Sequence, residues 1–200
     1  MPKLIFFIKS ESVNLKNYTI KDIPGSSGRL DVISRCLLSG LLKKNILEKD
    51  IEFWVFLDNY GTYIFQNNFL TFNRLPKNEL LFTEYFVELI RSLQNDIKTT
   101  QNNNPLKFVK YRDLNIYESI EEFNKSGTKI FILKEEGDLL IDQIFKLKKE
   151  EMVLFIIGNQ SGAFLESSRL SNLGLSQLSL GKQSYLASSV IKLVKLHFRL

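Results

Sequence analysis

The chain has 200 residues, 44% hydrophobic and 24% charged, ordinary values for a globular protein built as one domain. A single cysteine, Cys36, excludes an internal disulfide framework and a thiolate metal cluster, and a single histidine, His197, removes most zinc sites and histidine-based hydrolases. The net charge of +5 favours a polyanionic partner. No apolar run approaches the roughly 18 residues that cross a bilayer, so a cytoplasmic protein with no membrane partner is expected.

Leu4–Ile8 reads as a buried strand; its apolar stretch stops at Lys9 and no small-residue cleavage site follows, so it is not a signal peptide. Pro24 marks a turn, and Ser26 and Ser27 are candidate caps for a helix over Gly28–Leu42. In that helix Leu30, Ile33, Leu37 and Leu41 form one apolar stripe, while Gly40 marks tight packing or the approach of the helix end. Ile51–Leu57 is an apolar run of strand length that includes Trp54 as a core residue. Asp58-Asn59-Tyr60-Gly61 is turn chemistry and Thr62–Phe65 resumes as a strand, which predicts a hairpin.

The spacing of Phe82, Phe86, Leu89 and Leu93 predicts a long helix over Glu79–Asn95. The polar, Asn-rich stretch Thr99–Pro105 reads as an exposed loop. Beyond it come a strand at Lys107–Tyr111, a helix at Tyr117–Lys125 closed by Gly127, and a strand at Lys129–Leu133. A helix near Leu139–Lys148, a strand at Met152–Ile157, a helix near Phe164–Asn172, a strand at Gln177–Leu180 and a final helix from Ser184 complete the pattern. Alternation of this kind predicts an α/β fold with a mostly parallel sheet. No internal repeat is visible.

In such sheets ligands bind outside the carboxyl ends of the strands. Three of those ends carry glycine: Leu133-Lys134-Glu135-Glu136-Gly137, Ile157-Gly158-Asn159-Gln160-Ser161-Gly162 and Leu178-Ser179-Leu180-Gly181-Lys182-Gln183-Ser184. Glycine lets the backbone approach a ligand, so main-chain groups can read an adenine edge. Taken singly, each is no more than a strand-to-helix turn. Gly158 and Gly162 lack the three-glycine dinucleotide spacing, and Gly181-Lys182-Gln183-Ser184 lacks the upstream glycine of a phosphate loop.

The segment Ile23–Cys36 places a glycine-serine turn before a helix, an arrangement that suits an anion. Asp31 and Arg35 lie four apart and share a helical face. Arg29 falls on the other flank and joins them only if it lies in the turn before the helix. From residue types alone this is a capped helix with a surface ion pair of ~0.3–0.5 kcal/mol.

In order and content, Asp22-Ile23-Pro24-Gly25-Ser26-Ser27-Gly28-Arg29-Leu30-Asp31-Val32-Ile33-Ser34-Arg35-Cys36 resembles the N-terminal signature of the archaeal tRNA pseudouridine N1-methyltransferases, the TrmY family of the SPOUT superfamily. Phe155–Gly162 and Gln177–Leu180 are similar to that family's second and third cofactor loops, and Leu133–Gly137 falls where the first should be. The likeness covers nearly the whole chain, although Leu70–Asn104 matches only in pattern.

The resemblance implies a single SPOUT-like domain over residues 1–200. Its fold would be α/β with a mostly parallel sheet, a C-terminal trefoil knot and an N-terminal extension with a hairpin, assembled as a homodimer. It implies S-adenosyl-L-methionine as cofactor, contacted by Leu133, Gly137, Ile157, Gly158, Gly162, Leu178, Ser179, Leu180, Lys182, Gln183 and Val190. The implied partner is tRNA, methylated on N1 of a T-loop pseudouridine. No metal is required, because a methyl sulfonium is already activated. Asp31 is the candidate for accepting or relaying the N1 proton, with Arg29 and Arg35 gripping phosphate or stabilising uracil oxygens. Phe7, Tyr60 and Tyr63 are the aromatic candidates for stacking on a splayed base.

Two departures stand out. Asn159-Gln160 replace the family's Asp-His, and Leu186-Ala187-Ser188-Ser189-Val190 replace a segment bearing histidine and cysteine. Main-chain recognition survives such changes, whereas side-chain steps are put in question. A catalytically silent RNA-binding dimer of the same fold is therefore the second reading, and methylation of a ribosomal RNA pseudouridine a third. Cys36 reads as a packed residue, His197 as solvated or packed, and Lys192, Lys195 and Arg199 as complements to the last helix's dipole.

Overall fold

The computed structural model describes residues 1–94, 103–158 and 164–200. Asn159, Gln160 and Gly162 lie outside the described residues, as does most of the Asn-rich loop.

The first strand, β1 (Lys3–Ser10), lies at the middle of a seven-stranded sheet. After it, a single helical turn α1 (Ile23–Ser26) opens with Asp22, whose carboxylate accepts from the Gly25 N–H, and with Pro24 in the first turn, where its missing donor costs nothing. Helix α2 (Leu30–Leu41) follows and ends in a small antiparallel ribbon, β2 (Leu42–Lys43) with β3 (Ile46–Leu47). Strand β4 (Ile51–Leu57) returns beside β1 in parallel, and all seven of its residues are buried. Burial on both faces is why it reads as an apolar run, broken only by Glu52, and not as an alternation. The chain then reverses through Asp58–Tyr60 into β5 (Gly61–Gln66), antiparallel to β4.

Helix α3 (Glu79–Gln94) leads toward a short strand β6 (Lys110–Arg112) on the outer edge of β5. Helix α4 (Ile116–Lys125) carries a complete capping box between Asn115 and Glu118. Strand β7 (Lys129–Leu139), helix α5 (Leu140–Leu147), strand β8 (Met152–Ile157), the one-turn α6 (Ser168–Ser171), strand β9 (Ser176–Ser179) and helix α7 (Ala187–Arg199) follow. The sheet order is β6-β5-β4-β1-β8-β7-β9, parallel from β4 to β9. The mostly parallel α/β architecture expected from the alternation is therefore present. Helices α2, α3, α5 and α7 cover one face around Phe6, Phe53 and Phe155; α4 and α6 cover the other around Phe7, Trp54 and Ile156.

Several expected elements differ. The strand foreseen at Lys107–Tyr111 is confined to Lys110–Arg112, because Lys107 and Val109 donate to Asn104 and Leu106 carbonyls in successive turns. The helix foreseen at Phe164–Asn172 shrinks to Ser168–Ser171, capped by the Ser167 side chain. Strand β7 does not end at Leu133. Leu178 of β9 pairs first with Leu133 and then with Asp138, so residues 134–137 bulge while the strand continues. Gly137 permits this: a Cβ there would lie 2.7 Å from the Gln177 and Leu178 backbone.

The final helix's basic residues also differ from expectation. Lys195 is buried and donates to the carbonyls of Ser39, Gly40 and Leu42 at 2.8, 2.6 and 3.3 Å. It complements the C-terminus of α2 rather than its own helix. Glu48, 3.5 Å from Lys195 and also paired with Arg199, completes the cluster. His197 bonds the Leu193 carbonyl within its helix. Trp54 packs in the core as expected.

Candidate functional site

The sheet's strand order turns about β1, with β4 on one side and β8 on the other, and an α/β sheet offers its crevice at such a point. A cavity of about 1280 Å³ opens there, above the ~300–1000 Å³ usual for one small ligand. Its walls come from the end of β1, the start of α2, the bulge of β7, the end of β8, and residues 178–190 leading into α7. The three glycine-marked strand ends thus meet in one space, beside the arginines of α2.

Of the residues expected to hold a cofactor, Leu133, Ile157 and Gly158 line the cavity from β7 and β8, and Leu178, Leu180, Gln183 and Val190 from β9, the loop after it and α7. Gly137, Ser179 and Lys182 are not among the lining residues. Gly137 sits against β9, as described. The buried Ser179 hydroxyl donates to the Glu135 carbonyl at 2.9 Å and accepts from the Gly181 N–H at 3.0 Å, tying the third loop to the first. The apolar side chains on the walls suit a flat heterocycle, and the strand ends supply main-chain donors and acceptors for its edge.

Gly28 and Arg29 adopt consecutive left-handed conformations, φ 62° and 70°. A Cβ on Gly28 would fall 1.8 Å from the Ser12 carbonyl oxygen, so glycine is required there by space as well as by φ. Ser12 donates to the Gly28 carbonyl at 2.8 Å, and the Ser27 hydroxyl accepts from the Leu30 N–H at 3.1 Å. This turn throws Arg29 off the helical wheel. Its Nε and Nη2 reach the two Asp31 oxygens at 3.2 and 3.3 Å. Arg35 approaches Asp31 at 3.8 Å but is held chiefly by Glu79, at 2.7 and 2.8 Å in a two-pronged pair. The Glu79 hydrogen bonds push the Arg35 pKa up. Arg29 and Arg35 are each 41% exposed and line the cavity, whereas the Asp31 side chain is 5% exposed and stands behind them.

The two lysines at the rim are paired. Lys9 binds Glu11 at 2.6 Å and Asp58 at 2.9 Å, and Lys134 binds Glu166 at 2.8 Å. Burial pulls the Lys9 pKa down, but its two carboxylate partners outweigh that and raise it. Cys36 borders the cavity, yet burial pushes its thiol up to about 12, so it stays protonated and inert. Among the described residues no cluster of His, Cys, Asp and Glu could hold a metal ion, and no helix is long and apolar enough to cross a membrane.

The aromatic candidates fail on position. Phe7 and Tyr63 are wholly buried, and Tyr60, whose hydroxyl accepts from the Leu15 N–H, lines a separate cavity. Tyr185, partly exposed and bonded to Gln183 at 3.2 Å, is the aromatic at the cavity. Its place between the third loop and the last helix was the available signal. Glu79 gave none, because its partner lies 44 residues away.

Residues 4–199 match the family described as "Putative SAM-dependent RNA methyltransferase". A tRNA (pseudouridine(54)-N(1))-methyltransferase of Methanococcus vannielii is 31% identical, over 94% of both chains. One from Thermococcus onnurineus is 25% identical, over 96% of this chain and 94% of its own. Among solved structures, Archaeoglobus fulgidus Nep1 bound to S-adenosylhomocysteine superposes with a TM-score of 0.64 at 18% identity, covering 100% of this chain and 98% of that one. That likeness is one of fold.

Proposed function

The chain belongs to this family of S-adenosyl-L-methionine-dependent RNA methyltransferases, and from that premise we propose that it methylates N1 of a T-loop pseudouridine in tRNA, at the position its relatives are named for. The observation that carries the reading is the single cavity in which three strand ends meet beside two exposed arginines.

The residues present fit the cofactor. Leu133, Ile157, Leu178, Leu180 and Val190 offer apolar walls, and the main chain near Gly158 and Gln183 offers polar groups for the adenosine. Gly137, Ser179 and Lys182 act on this site by shaping the loops around it, and Gly162 belongs to the same proposed set. When bound, the cofactor supplies a methyl group already activated on a sulfonium. The protein's share is alignment, which can supply ~7–11 kcal/mol at its upper limit, and help in removing the N1 proton. Arg29 and Arg35 face the cavity and would stabilise negative charge on the uracil ring or grip an adjoining phosphate. Asp31, behind them, orients both guanidiniums and receives the proton through a water. Tyr185 is the aromatic placed to stack on the splayed base. Exclusion of water by the apolar wall strengthens each of these charge interactions.

We also infer one domain, a knotted C-terminal part, the β4–β5 hairpin as part of an N-terminal extension, a homodimer and a cytoplasmic location. The knot is supported by β9 pairing with both limbs of β7 before the chain runs on to α7 against α2. The dimer is supported by exposed apolar residues on neighbouring helices, Ile141 and Phe145 (78% exposed) on α5 and Leu196 on α7.

The test is mass spectrometry of tRNA incubated with the protein and isotopically labelled cofactor. Label is expected on pseudouridine. Arg29→Ala and Asp31→Ala should lower its rate at least tenfold, with cofactor affinity by calorimetry unchanged. Equal turnover in both variants would show that the corner has another role. Absence of label with bound cofactor would favour an RNA-binding module.

A further inference from the structure

A second cavity, of about 780 Å³, opens beyond the carboxyl end of β4, and Lys9 borders both it and the first. We propose that it is a nucleoside subsite, taking an unpaired base of the RNA next to the one held at the first cavity. This rests on the reading of the protein as an RNA methyltransferase.

The floor and one wall are aromatic. The Arg169 guanidinium lies 3.8 Å from the Tyr117 ring centre, and Tyr117 in turn meets the buried Phe164 edge-on. Arg169 is exposed and has no carboxylate partner among the described residues. A guanidinium seated over a ring can present its other face as a stacking plane, and single-stranded RNA bases are held on such planes. Asn59 and Asp113, both exposed, stand at the rim with donor and acceptor groups. Tyr63 also lines this cavity; its side chain is wholly buried, yet its hydroxyl finds no hydrogen-bond partner.

The charge balance selects the ligand class. Lys9 is already neutralised by Glu11 and Asp58. The lining holds two cations, Lys9 and Arg169, and two carboxylates, Asp58 and Asp113, so it offers a phosphate no surplus of positive charge. An uncharged planar base with polar edges fits better. The shared Lys9 wall places the two cavities side by side along the same sheet edge, as consecutive nucleotides of a loop require.

The experiment uses a fluorescently labelled RNA hairpin of T-loop sequence, and a set in which each loop nucleotide in turn is an abasic ribose. Arg169→Ala is expected to weaken binding of the intact hairpin about tenfold, and Tyr117→Ala likewise, with cofactor affinity by calorimetry unchanged. Arg169→Lys keeps the charge and loses the plane, and should bind as weakly as Arg169→Ala. One abasic position other than the methylated one should cost the wild-type protein a similar factor and cost Arg169→Ala nothing further. Wild-type affinity in both Arg169 variants, or an equal loss at every abasic position, overturns the subsite. Failure of the wild-type protein to bind any hairpin overturns the RNA reading and the subsite with it. Because Arg169 is exposed, its variants keep the proposal testable even if Tyr117→Ala does not fold.

Discussion

The two ends of α2 carry charge clusters of similar composition and opposite character. At the start, Arg29 and Arg35 are 41% exposed and converge on an Asp31 carboxylate that is itself covered. At the end, Lys195 and Glu48 are both buried, and the ammonium is consumed by three main-chain carbonyls. The first arrangement leaves cationic surface facing a cavity, available to a ligand. The second leaves nothing to offer and fastens α7 to α2, since the last carbonyls of a helix have no partner of their own. A charge cluster is thus a site only where its outer members keep solvent contact.

Gly28→Ala should break this contrast most severely. The added Cβ meets the Ser12 carbonyl, and alanine at a left-handed φ adds its own strain. A stability loss of about 3 kcal/mol in urea denaturation is expected, with turnover falling more than tenfold in the folded fraction because Arg29 leaves Asp31. A variant that keeps full turnover would mean that the left-handed turn does not set the arginine's position.

Lys195→Met should show the reverse, a structural defect that spares the site. Three carbonyls lose their donor, costing about 2 kcal/mol, while cofactor affinity below the melting transition stays that of the wild type. Burial, with smaller contributions from Lys192 and Lys43, lowers the Lys195 pKa to about 8 from 10.5. Between those values the unfolded chain binds more protons than the native one at this residue, so its contribution to stability rises with pH. The deficit of Lys195→Met relative to wild type should therefore widen from pH 8 toward pH 10.5. A deficit that shrinks over that range would show that the ammonium is stabilised, not strained, by its surroundings.

The same contrast explains what could be read from the chain beforehand. Strands β1, β4 and β8 were legible because burial on both faces demands largely apolar runs, which in β4 only the paired Glu52 interrupts. The start of α2 was legible because Asp31 and Arg35 sit one helical turn apart, whereas Arg29 joins them only on the condition that it lies in the turn before the helix. Its left-handed backbone, which meets that condition, is dictated by the contact of Gly28 with Ser12, 16 residues earlier. The bulge in β7 depends on β9, which follows it by some 40 residues. Lys195 was misread because its acceptors lie 153 to 156 residues away. Local periodicity reports what a segment buries, and carries no information on which distant carbonyl or carboxylate will face it.

Glu79 is the case where these two lessons meet, and where the smallest effect is expected. It lies at the first turn of α3 and holds Arg35 with two bonds, yet it touches no predicted ligand surface. Glu79→Gln keeps the shape and removes the charge. Both partners are partly exposed, so the stability change should stay below about 1 kcal/mol. RNA affinity discriminates more sharply, because two effects oppose. Removing a carboxylate from beside Arg35 raises the local positive potential and, acting alone, tightens RNA binding. Replacing one carboxylate oxygen by an amide nitrogen leaves a single acceptor of the two-pronged hold, so Arg35 swings more freely, with that bond and the 3.8 Å contact to Asp31 remaining. If Arg35 acts as an oriented fork on phosphate or base, the loss of orientation wins and anisotropy titrations should show binding weakened about threefold to tenfold. Tighter binding in Glu79→Gln would mean that Arg35 contributes only charge, and would reduce the start of α2 to a basic patch.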